Sequence, residues 1–342
     1  MMSRDAVRIN LNECMQKYDE YSERFFALLP VFGKKAVLEW CMKEGLIASS
    51  YVCPKCGKPM ELRERTGKSV NDGFEWMCRN QSSVKEENHY VSRSVRKGSW
   101  FQLSNTDMCT VLLVMRKWFG RCPQKYAVAD LGVGSHTAVD WYNFCREICI
   151  HVLIRDSCKI GGVDAIVEED ESKFGKMKYG KGRPVNGKWV FGGTERNSNK
   201  CFFRVVPCRT KECLLAVIKE WVLPGTTIIS DCWASYNCLK DEGFQHLKVN
   251  HSLTFVCPVT GAHTNSIEGS WSGIKRFLGN TTHRTEDMFD SYLHEFMWRR
   301  KNSHSVENKV FKTFLADVAS VFPPLQQDVP PEHEIIQQDA LW

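Results

Sequence analysis

Runs of apolar residues between positions 160 and 303 have the lengths of strands and helices. Three β-rich runs come first: GGVDAIVEEDESKF, and the two halves of GKWVFGGTERNSNKCFFRVVPCRT, which a turn at 195–199 separates. The segments that follow alternate between helix and strand: TKECLLAVIKEWVLPG, TTIISD, CWASYNCLKDEGF, HLKVNHS and TNSIEGSWSGIKRFLG. This order of elements predicts an α/β layer with mixed strand directions.

The predicted order is that of a ribonuclease-H-like fold, and we place this domain at residues 160–303. One more helix is expected at 287–300. The tail at 322–342 contains acids and prolines but no Lys or Arg, so we expect it to be disordered.

Three smaller regions precede this domain. Residues 1–50 have apolar residues at helical spacing, interrupted at Pro30 and Gly33, and predict an N-terminal helical region. Residues 51–101 have the cysteine spacing of a zinc ribbon. Residues 102–155 predict a short helix, a glycine-containing turn and an amphipathic helix that begins at Ser135 or His136. That is helix-turn-helix spacing, although helix pairs in ordinary cores look alike.

Cysteines define the ribbon. Cys53 and Cys56 form a Cys-x-x-Cys knuckle in YVCPKCGKPMEL, and FEWMCRN supplies Cys78 at a spacing that suits two knuckles sharing one tetrahedral Zn²⁺. The second knuckle lacks its usual second cysteine, so His89 is the best available fourth ligand. The alternative is a redox pair or free thiols at Cys53 and Cys56, but the surrounding sequence lacks a thioredoxin-like βαβ pattern.

Composition excludes several classes of protein. No apolar run approaches the ~18 residues needed to span a bilayer. The first residues lack the apolar core of a signal peptide, so we expect an intracellular protein without a membrane partner. Many of the 16 cysteines lie in apolar segments, which predicts buried reduced thiols at Cys145, Cys149, Cys201 and Cys213.

Basic residues are concentrated in two stretches of a chain whose net charge is +6. Residues 92–125 contain seven basic residues and a single acid, Asp107, and residues 173–188 contain basic charges only. Such stretches fit a polyanionic partner such as DNA, although each one alone also fits a solvated surface.

Three carboxylates lie where they could converge. Asp170 and Asp231 each follow an apolar strand, and those strands are neighbours in a ribonuclease-H-like sheet, so the two carboxylates should meet. Glu268 lies on a polar stripe of the helix TNSIEGSWSGIKRF, beside the stripe that should be buried. Taken singly, each acid also fits a helix N-cap or an ordinary surface position.

Three carboxylates without His or Cys favour hard cations, so these acids predict a Mg²⁺ or Mn²⁺ site. Two such ions can activate a water or a 3′-hydroxyl and stabilise the leaving oxygen at a phosphodiester. Lys275 lies two turns after Glu268 on the same stripe and is placed to hold a phosphate.

Four phrases of the sequence resemble the Merlin superfamily of DNA transposases and their bacterial ISXO-type relatives: VEEDESKFGKMKYGKGRPVNGKWVFGG, PGTTIISDCWASY, VNHSLTFV and GAHTNSIEGSWSGIK. The likeness runs from about residue 51 to residue 303. It implies a D-D-E nuclease domain with a divalent-metal site, preceded by a zinc ribbon that ends in an SxRxGSWF-like sequence. It assigns the catalytic acids to Asp170, Asp231 and Glu268, with 36 residues between the last two, as in the eukaryotic family.

Two positions keep an alternative. Glu168 shares a strand face with Asp170 and stays possible as an outer neighbour of the metal site. Asn265 lies one turn before Glu268, and some bacterial relatives use an asparagine as the third ligand, so Asn265 is the second candidate for that role.

Together these observations predict a nuclear cut-and-paste DNA transposase that cleaves and joins strands at transposon ends. The expected partners are double-stranded DNA, as terminal inverted repeats and as target, and further copies of the chain assembled on that DNA. The strongest alternative is a host-recruited descendant that binds DNA without transposing. A zinc-ribbon transcription regulator without enzyme activity would not need Asp170, Asp231 and Glu268 together.

Overall fold

The structure, a computed structural model, describes most of the chain. The described residues are 18–65, 72–81, 88–156, 159–175, 187–231, 236, 238–249, 256–257, 261–279, 286–303 and 307–328. The chain divides into two compact units, a first of residues 1–148 with 306–342 and a second of residues 149–305. Within the described residues, no helix combines the length and the apolar character that crossing a membrane requires.

Short helices open the first unit, as the sequence predicts. Helix α1 covers Glu23–Leu28, a 3₁₀ turn covers Leu29–Phe32, and helix α2 covers Lys34–Lys43. The Ser22 hydroxyl caps α1 by accepting a hydrogen bond from the Phe25 N–H at 3.2 Å. Gly33 separates the 3₁₀ turn from α2 with a φ of 95°, a conformation that a glycine adopts without strain.

The ribbon is a three-stranded antiparallel sheet. Its strands are β1 (Glu61–Glu64), β2 (Phe74–Asn80) and β3 (His89–Ser94), in the order β1-β2-β3. Strand β2 pairs with both neighbours, so that Glu61 lies opposite Met77 and Cys78 lies opposite Val91.

Four more helices lie in the described part of the first unit. They are α3 (Met108–Phe119), α4 (Gln124–Leu131), α5 (Ser135–Arg155), whose C-terminal end enters the second unit, and α9 (Glu307–Val321). Helices α4 and α5 lie where the sequence predicts the helix-turn-helix pair, and α5 begins at Ser135. Helix α9 was not predicted, and it contributes Phe311 and Phe314 to an aromatic core with Phe119 and Trp118.

Part of the tail expected to be disordered is packed. The backbone N–H of Leu325 donates to the Gly98 carbonyl at 2.9 Å, and the Asp328 carboxylate pairs with Arg93 at 2.5 Å. The Tyr51 hydroxyl donates to the same carboxylate at 2.7 Å. The rest of the tail, 329–342, lies outside the described residues.

A five-stranded mixed sheet organises the second unit. Its strands, in chain order, are β5 (Ile166–Phe174), β6 (Lys188–Glu195), β7 (Cys201–Val206), β9 (Thr227–Asp231) and β10 (Gln245–Val249). Their spatial order is β10-β9-β5-β6-β7. Strands β9 and β10 run parallel to β5, whereas β6 is antiparallel to both β5 and β7. This is the ribonuclease-H-like arrangement that the sequence predicts.

Helices cover the sheet. They are α6 (Lys211–Trp221), α7 (Asn265–Leu278) and α8 (Glu286–Lys301), and a two-stranded pair, β4 (Ile160–Gly161) with β8 (Val222–Leu223), accompanies them. Of the helix predicted in CWASYNCLKDEGF, the described residues form only a 3₁₀ turn at Leu239–Glu242. Residues 232–235 and 237 lie outside the described part of the chain.

Two local expectations were wrong. Asp170 does not close its strand, because β5 continues to Phe174 with its acids held by partners that are distant in the sequence. Cys213 is not a reduced thiol but forms a disulfide with Cys208. Cys145, Cys149 and Cys201 are buried and form no disulfide, as expected. Asp231 is the last residue of β9, as the sequence predicts.

Candidate active site and metal centre

Asp170 and Asp231 lie on adjacent parallel strands. The paired residues of β5 and β9 run from Ile166 opposite Thr227 to Glu168 opposite Ile229. The pairing ends there, and Asp170 and Asp231 each lie two residues beyond the last pair on neighbouring parallel strands. Their negative charges interact, since Asp231 contributes to raising the pKa of Asp170. The structure therefore brings two of the three predicted acids together.

Helix α7 covers Asp170 on one face of the sheet. The Trp271 indole N–H donates to an Asp170 carboxylate oxygen at 2.9 Å. Gly192 lies opposite Asp170 on β6, and a Cβ there would come within 3.0 Å of the Trp271 ring and would clash with Phe203. Gly192 thus leaves the space through which Trp271 reaches the acid. A glycine pair inside a strand pattern signals such a close approach, and the sequence carried this signal in WVFGGTE.

The environment of Asp170 opposes a negative charge. The pKa of Asp170 is raised to about 6. Burial is the largest cause of this rise, and the charges of Glu171 and Asp231 also contribute to it. Hydrogen bonds from the backbone at Glu171 and from Trp271 act in the opposite direction. A cation beside this pair would remove the repulsion and favour the ionised form.

The neighbouring acids on β5 have other contacts. Glu168 is fully buried and accepts hydrogen bonds from Arg196 and from the first turn of α7. Glu171, on the opposite face, accepts hydrogen bonds from Arg209 at 3.0 Å and from the Tyr236 hydroxyl. Glu169 is also fully buried, and burial together with the charge of Glu171 raises its pKa well above the usual range.

Glu268 projects from the flank of α7 that faces β9. Successive helical residues are rotated by about 100°, so Glu268 and Ser270 leave opposite flanks when Ile267 and Ile274 face the sheet. The Ser270 hydroxyl lies 3.2 Å from that of Thr194 on β6, which identifies the flank toward β6. Since β5 separates β6 from β9, the flank that carries Glu268 points the other way, toward the strand of Asp231.

This geometry separates the two candidates for the third ligand. Asn265 is rotated about 60° further from the sheet than Glu268 and points more outward. Both side chains are exposed. Glu268 does not complete a compact site with the two aspartates, because among the described residues the ribbon alone has three or more His, Cys, Asp or Glu side chains whose donor atoms all lie within 4.8 Å of one another.

Lys275 is exposed on the same flank of α7 as Glu268. Its ammonium lies 5.8 Å from the centre of the Phe174 ring, at the end of β5. Phe174 lies four positions after Asp170 along the strand, a distance of about 13 Å. Lys275 therefore lies beside the acids rather than among them.

The ribbon brings together the side chains of Cys53, Cys56, Cys78 and His89. The Cys56 and Cys78 sulfurs are 3.7 Å apart, and the His89 Nε2 lies 3.6 Å from the Cys53 sulfur and 3.5 Å from that of Cys78. Tetrahedral zinc with its usual bond lengths requires about 3.8 Å between two sulfurs and about 3.6 Å between sulfur and nitrogen. The four donors thus have the spacing of a tetrahedral Cys₃His metal site.

The thiols of Cys53 and Cys78 differ in pKa because of burial and because they lie close together. Burial raises the pKa of Cys53, but the backbone N–H groups of Cys56 and Lys55 and hydrogen bonds with the other thiols lower it to about 7. The pKa of Cys78 rises to about 12 because of burial and because Cys53 and Cys56 lie beside it. Neighbouring thiolates repel one another, and a bound cation would remove that repulsion.

Several basic residues of the 92–125 stretch have partners within the first unit. Arg93 pairs with Asp328 at 2.5 Å, buried Arg96 pairs with Asp72 at 2.5 Å, and Lys117 contacts Glu23 and Asp130. Arg116 is buried and donates to Asn308 at 2.7 Å. Lys125 is exposed on α4. Much of the charge that the sequence assigned to DNA thus stabilises the unit itself.

Comparisons with known proteins point to transposases. Residues 161–301 match the family model of the ISXO2-like transposase domain. A protein of Haemophilus influenzae described as an uncharacterized transposase-like protein is 33% identical over 104 residues, which cover 30% of this chain and 83% of that relative.

Solved structures with weak similarity include two assemblies. A simian T-cell lymphotropic virus intasome in complex with PP2A regulatory subunit B56 gamma shares 14% identity at a TM-score of 0.27, covering 54% of this chain and 67% of the other. A pre-cleavage Mos1 transpososome shares 10% identity at a TM-score of 0.25, covering 64% and 75%. Since these scores are low, the fold assignment rests on the strand order.

The strand order and directions of the mixed sheet define a ribonuclease-H-like domain. The chain belongs to the transposase family that carries the ISXO2-like transposase domain.

Proposed function

We propose that this protein is a D-D-E DNA transposase of the Merlin group that cleaves and joins DNA strands by a cut-and-paste reaction. The observation that supports it most directly is that Asp170 and Asp231 lie on adjacent parallel strands, close enough for the charge of Asp231 to raise the pKa of Asp170. Membership of the transposase family supports the same reaction class. Asp170, Asp231 and Glu268 are the proposed catalytic acids.

Mg²⁺ or Mn²⁺ fits the proposed donor set, because three carboxylates without nitrogen or sulfur suit a hard cation and the Asp170–Asp231 pair needs a positive charge beside it. Bound there, the metal would supply electrostatic activation of the attacking oxygen and stabilisation of the leaving oxygen. Trp271 would orient Asp170 through its indole hydrogen bond. Lys275 would hold a phosphate of the DNA next to the acids.

The proposed chemistry is two displacements at phosphorus. In the first, water attacks a phosphodiester at the transposon end and releases a 3′-hydroxyl. In the second, that hydroxyl attacks a phosphodiester of the target and releases a new 3′-hydroxyl, so that one bond forms for each one broken. The chain's own residues bind and orient the DNA and hold the ligand carboxylates in place.

The ribbon is proposed to hold one structural Zn²⁺ through Cys53, Cys56, Cys78 and His89. The donor spacing supports zinc, and four protein ligands leave no open position for catalysis. Together with the α4–α5 pair, the ribbon would bind terminal inverted repeats. Several copies of the chain are proposed to assemble on that DNA in the nucleus.

Cleavage of labelled transposon-end duplexes in Mg²⁺ or Mn²⁺ tests this function, with the end sequences taken from the genomic flanks of the coding region. Nicked and joined products from the wild type, and none from Asp170→Asn or Asp231→Asn, would support it. Tight binding of the ends without any strand cleavage would instead favour the host-recruited DNA-binding descendant.

A further inference from the structure

Glu168 joins strand β5 to the start of helix α7. One carboxylate oxygen accepts hydrogen bonds from the Ser266 N–H at 2.7 Å and from the Ile267 N–H at 3.1 Å. The other accepts from the Ser266 hydroxyl at 3.0 Å and from the Arg196 guanidinium at 2.6 Å. The side chain is completely buried. Both oxygens are therefore occupied by α7 and Arg196.

This contact replaces the local cap of α7. The first N–H groups of a helix have no partner within the helix, and a side chain at the N-cap normally accepts from them. Thr264 occupies the N-cap of α7, but its side chain makes no capping hydrogen bond. The carboxylate of Glu168, from a distant strand, performs this role and also places a negative charge at the positive end of the helix.

Arg196 completes the arrangement from a third segment. It follows the last residue of β6, and besides its bond to Glu168 it donates to the His263 carbonyl at 2.7 Å. His263 lies just before α7. Arg196 thus holds both the capping carboxylate and the chain that leads into the helix.

The joined positions lie next to the proposed ligands. Glu168 is two residues before Asp170 on β5 and shares its face, while Ser266 is two residues before Glu268 on α7. Fixing Ser266 and Ile267 to Glu168 fixes both the height and the rotation of the first turn of α7, and that turn carries Glu268.

Resting on the proposed function, we propose that Glu168 and Arg196 position Glu268 toward Asp231 without binding the metal themselves. Glu168 is a positioning residue, although its position two residues before Asp170 suggests a metal ligand. The flank geometry of α7, and hence the choice of Glu268 as third ligand, depends on this contact.

Hydrogen exchange of the full-length, metal-free protein tests the contact itself. In Glu168→Gln, one amide oxygen must replace two carboxylate oxygens, and the amide N–H groups face other donors. We expect the first-turn amides of α7 to exchange at least about tenfold faster. The matched control is Glu295→Gln on α8, which removes a buried carboxylate whose bond to Arg299, at 2.8 Å, lies within its own helix. It should leave the α7 amides unchanged.

Metal titration tests the positioning role. Mn²⁺ binding followed by electron paramagnetic resonance should weaken about tenfold or more in Glu168→Gln and in Arg196→Ala, but not in Glu295→Gln. The Mg²⁺ concentration for half-maximal cleavage should rise equally, and saturating Mg²⁺ should restore the rate to within a few-fold. Loss that saturating metal does not restore would make Glu168 a ligand and overturn the proposal.

Two further results distinguish the failures. The double variant Glu168→Gln/Arg196→Ala should have an effect smaller than the product of the two single-variant fold-changes, because both single variants disrupt the shared Glu168–Arg196 bond. Unchanged α7 exchange and unchanged metal demand in Glu168→Gln, alongside an inactive Asp170→Asn, would refute the positioning role alone. An active Asp170→Asn would refute the proposed function, whereas faster α7 exchange in Glu168→Gln would still report the contact.

Discussion

The ribbon cluster and the acids of the second unit are two candidate metal sites that differ in completeness. In the ribbon, four donors already have the spacing of a tetrahedral ion. In the second unit, Asp170 and Asp231 lie on adjacent parallel strands, and Glu268 on α7 forms no compact cluster with them. The difference follows from charge. Thiols and imidazole can come together in neutral form, whereas carboxylates ionise at low pH and repel one another until a cation binds.

Amide substitutions of the three acids should have the largest effect. Asp170→Asn, Asp231→Asn or Glu268→Gln removes a ligand charge while keeping the shape of the side chain. Strand cleavage, measured on transposon-end duplexes at saturating DNA, should fall about a thousandfold or more, since each 1.36 kcal/mol of transition-state stabilisation changes a rate tenfold.

The matched control for these variants is Glu169→Gln. Burial and the charge of Glu171 raise the pKa of Glu169 well above its usual range, which favours the uncharged form that the amide resembles. This neighbour should cleave within a few-fold of the wild type. If it were as inactive as Asp170→Asn, the loss would reflect damage to the strand and not to a ligand set.

The choice between Glu268 and Asn265 is the next largest effect. The rotation of α7 favours Glu268, so Asn265→Ala should retain cleavage within about tenfold, while Glu268→Gln loses it. Single-turnover cleavage rates of the two variants, compared at saturating Mg²⁺, decide between them. An inactive Asn265→Ala with an active Glu268→Gln would reverse the assignment.

Removing a ribbon ligand should affect metal binding and the first unit, not the chemistry of the acids. Cys78→Ser should lower zinc affinity about a hundredfold or more, because the thiolate bond is lost. Zinc content of the purified full-length protein, measured by mass spectrometry of metals, should fall from one per chain. Cys122→Ser, at a free cysteine outside the cluster, should keep one zinc. Equal zinc content in both variants would contradict the ribbon assignment.

His246 on β10 shows how burial and neighbouring positive charges change a pKa. His246 lies beside Ser230, at 2.9 Å, and burial with the charges of Lys248 and Lys240 lowers its pKa to about 4. The unfolded chain therefore binds a proton that the native state does not between about pH 6.5 and pH 4. Stability contributed by neutral His246 is present above that range and is lost as the pH falls through it, by roughly 1–3 kcal/mol. Urea unfolding at pH values from 6.5 to 4 should show a smaller loss of the free energy of unfolding in His246→Gln than in the wild type.

The smallest effect is expected at the basic surface. Lys125 is exposed, so Lys125→Ala should lower the slope of log affinity for DNA against log salt by at most about one unit. Arg96→Ala should instead reduce the thermal stability of the first unit, because it leaves the largely buried charge of Asp72 without its partner. Fluorescence anisotropy over a salt series, with melting curves, separates the two. A larger slope change in the Arg96 variant would contradict this division.

Periodicity predicted most elements of the second unit, because its strands and α7 have strong apolar patterns. It could not predict that β5 continues past four consecutive acids, since acids usually end a buried strand. Their burial depends on Arg196, Arg209 and Trp271, which folding alone brings near. Helix α9 was missed although Val310, Phe311 and Phe314 have helical spacing.

The ligand residues of the candidate site were predictable from the sequence, but the residues that hold them in place were not. Spacing grouped the ribbon ligands, and strand ends suggested Asp170 and Asp231. The capping role of Glu168 had no local signal, because its partners lie in segments far along the chain. The same limitation made paired arginines such as Arg93 and Arg96 look like free surface charge.

The missing local cap of α7 also has a consequence for the order of folding. The carboxylate that caps this helix is 98 residues from Ser266, so the cap forms only after a large loop has closed. Helix α7 should therefore gain its first turn late, after the sheet has assembled, and φ-values at Ser266 should lie near zero. A newly synthesised chain would then hold Glu268 loosely until the rest of the unit is in place, so the proposed metal site would be completed only at the end of folding.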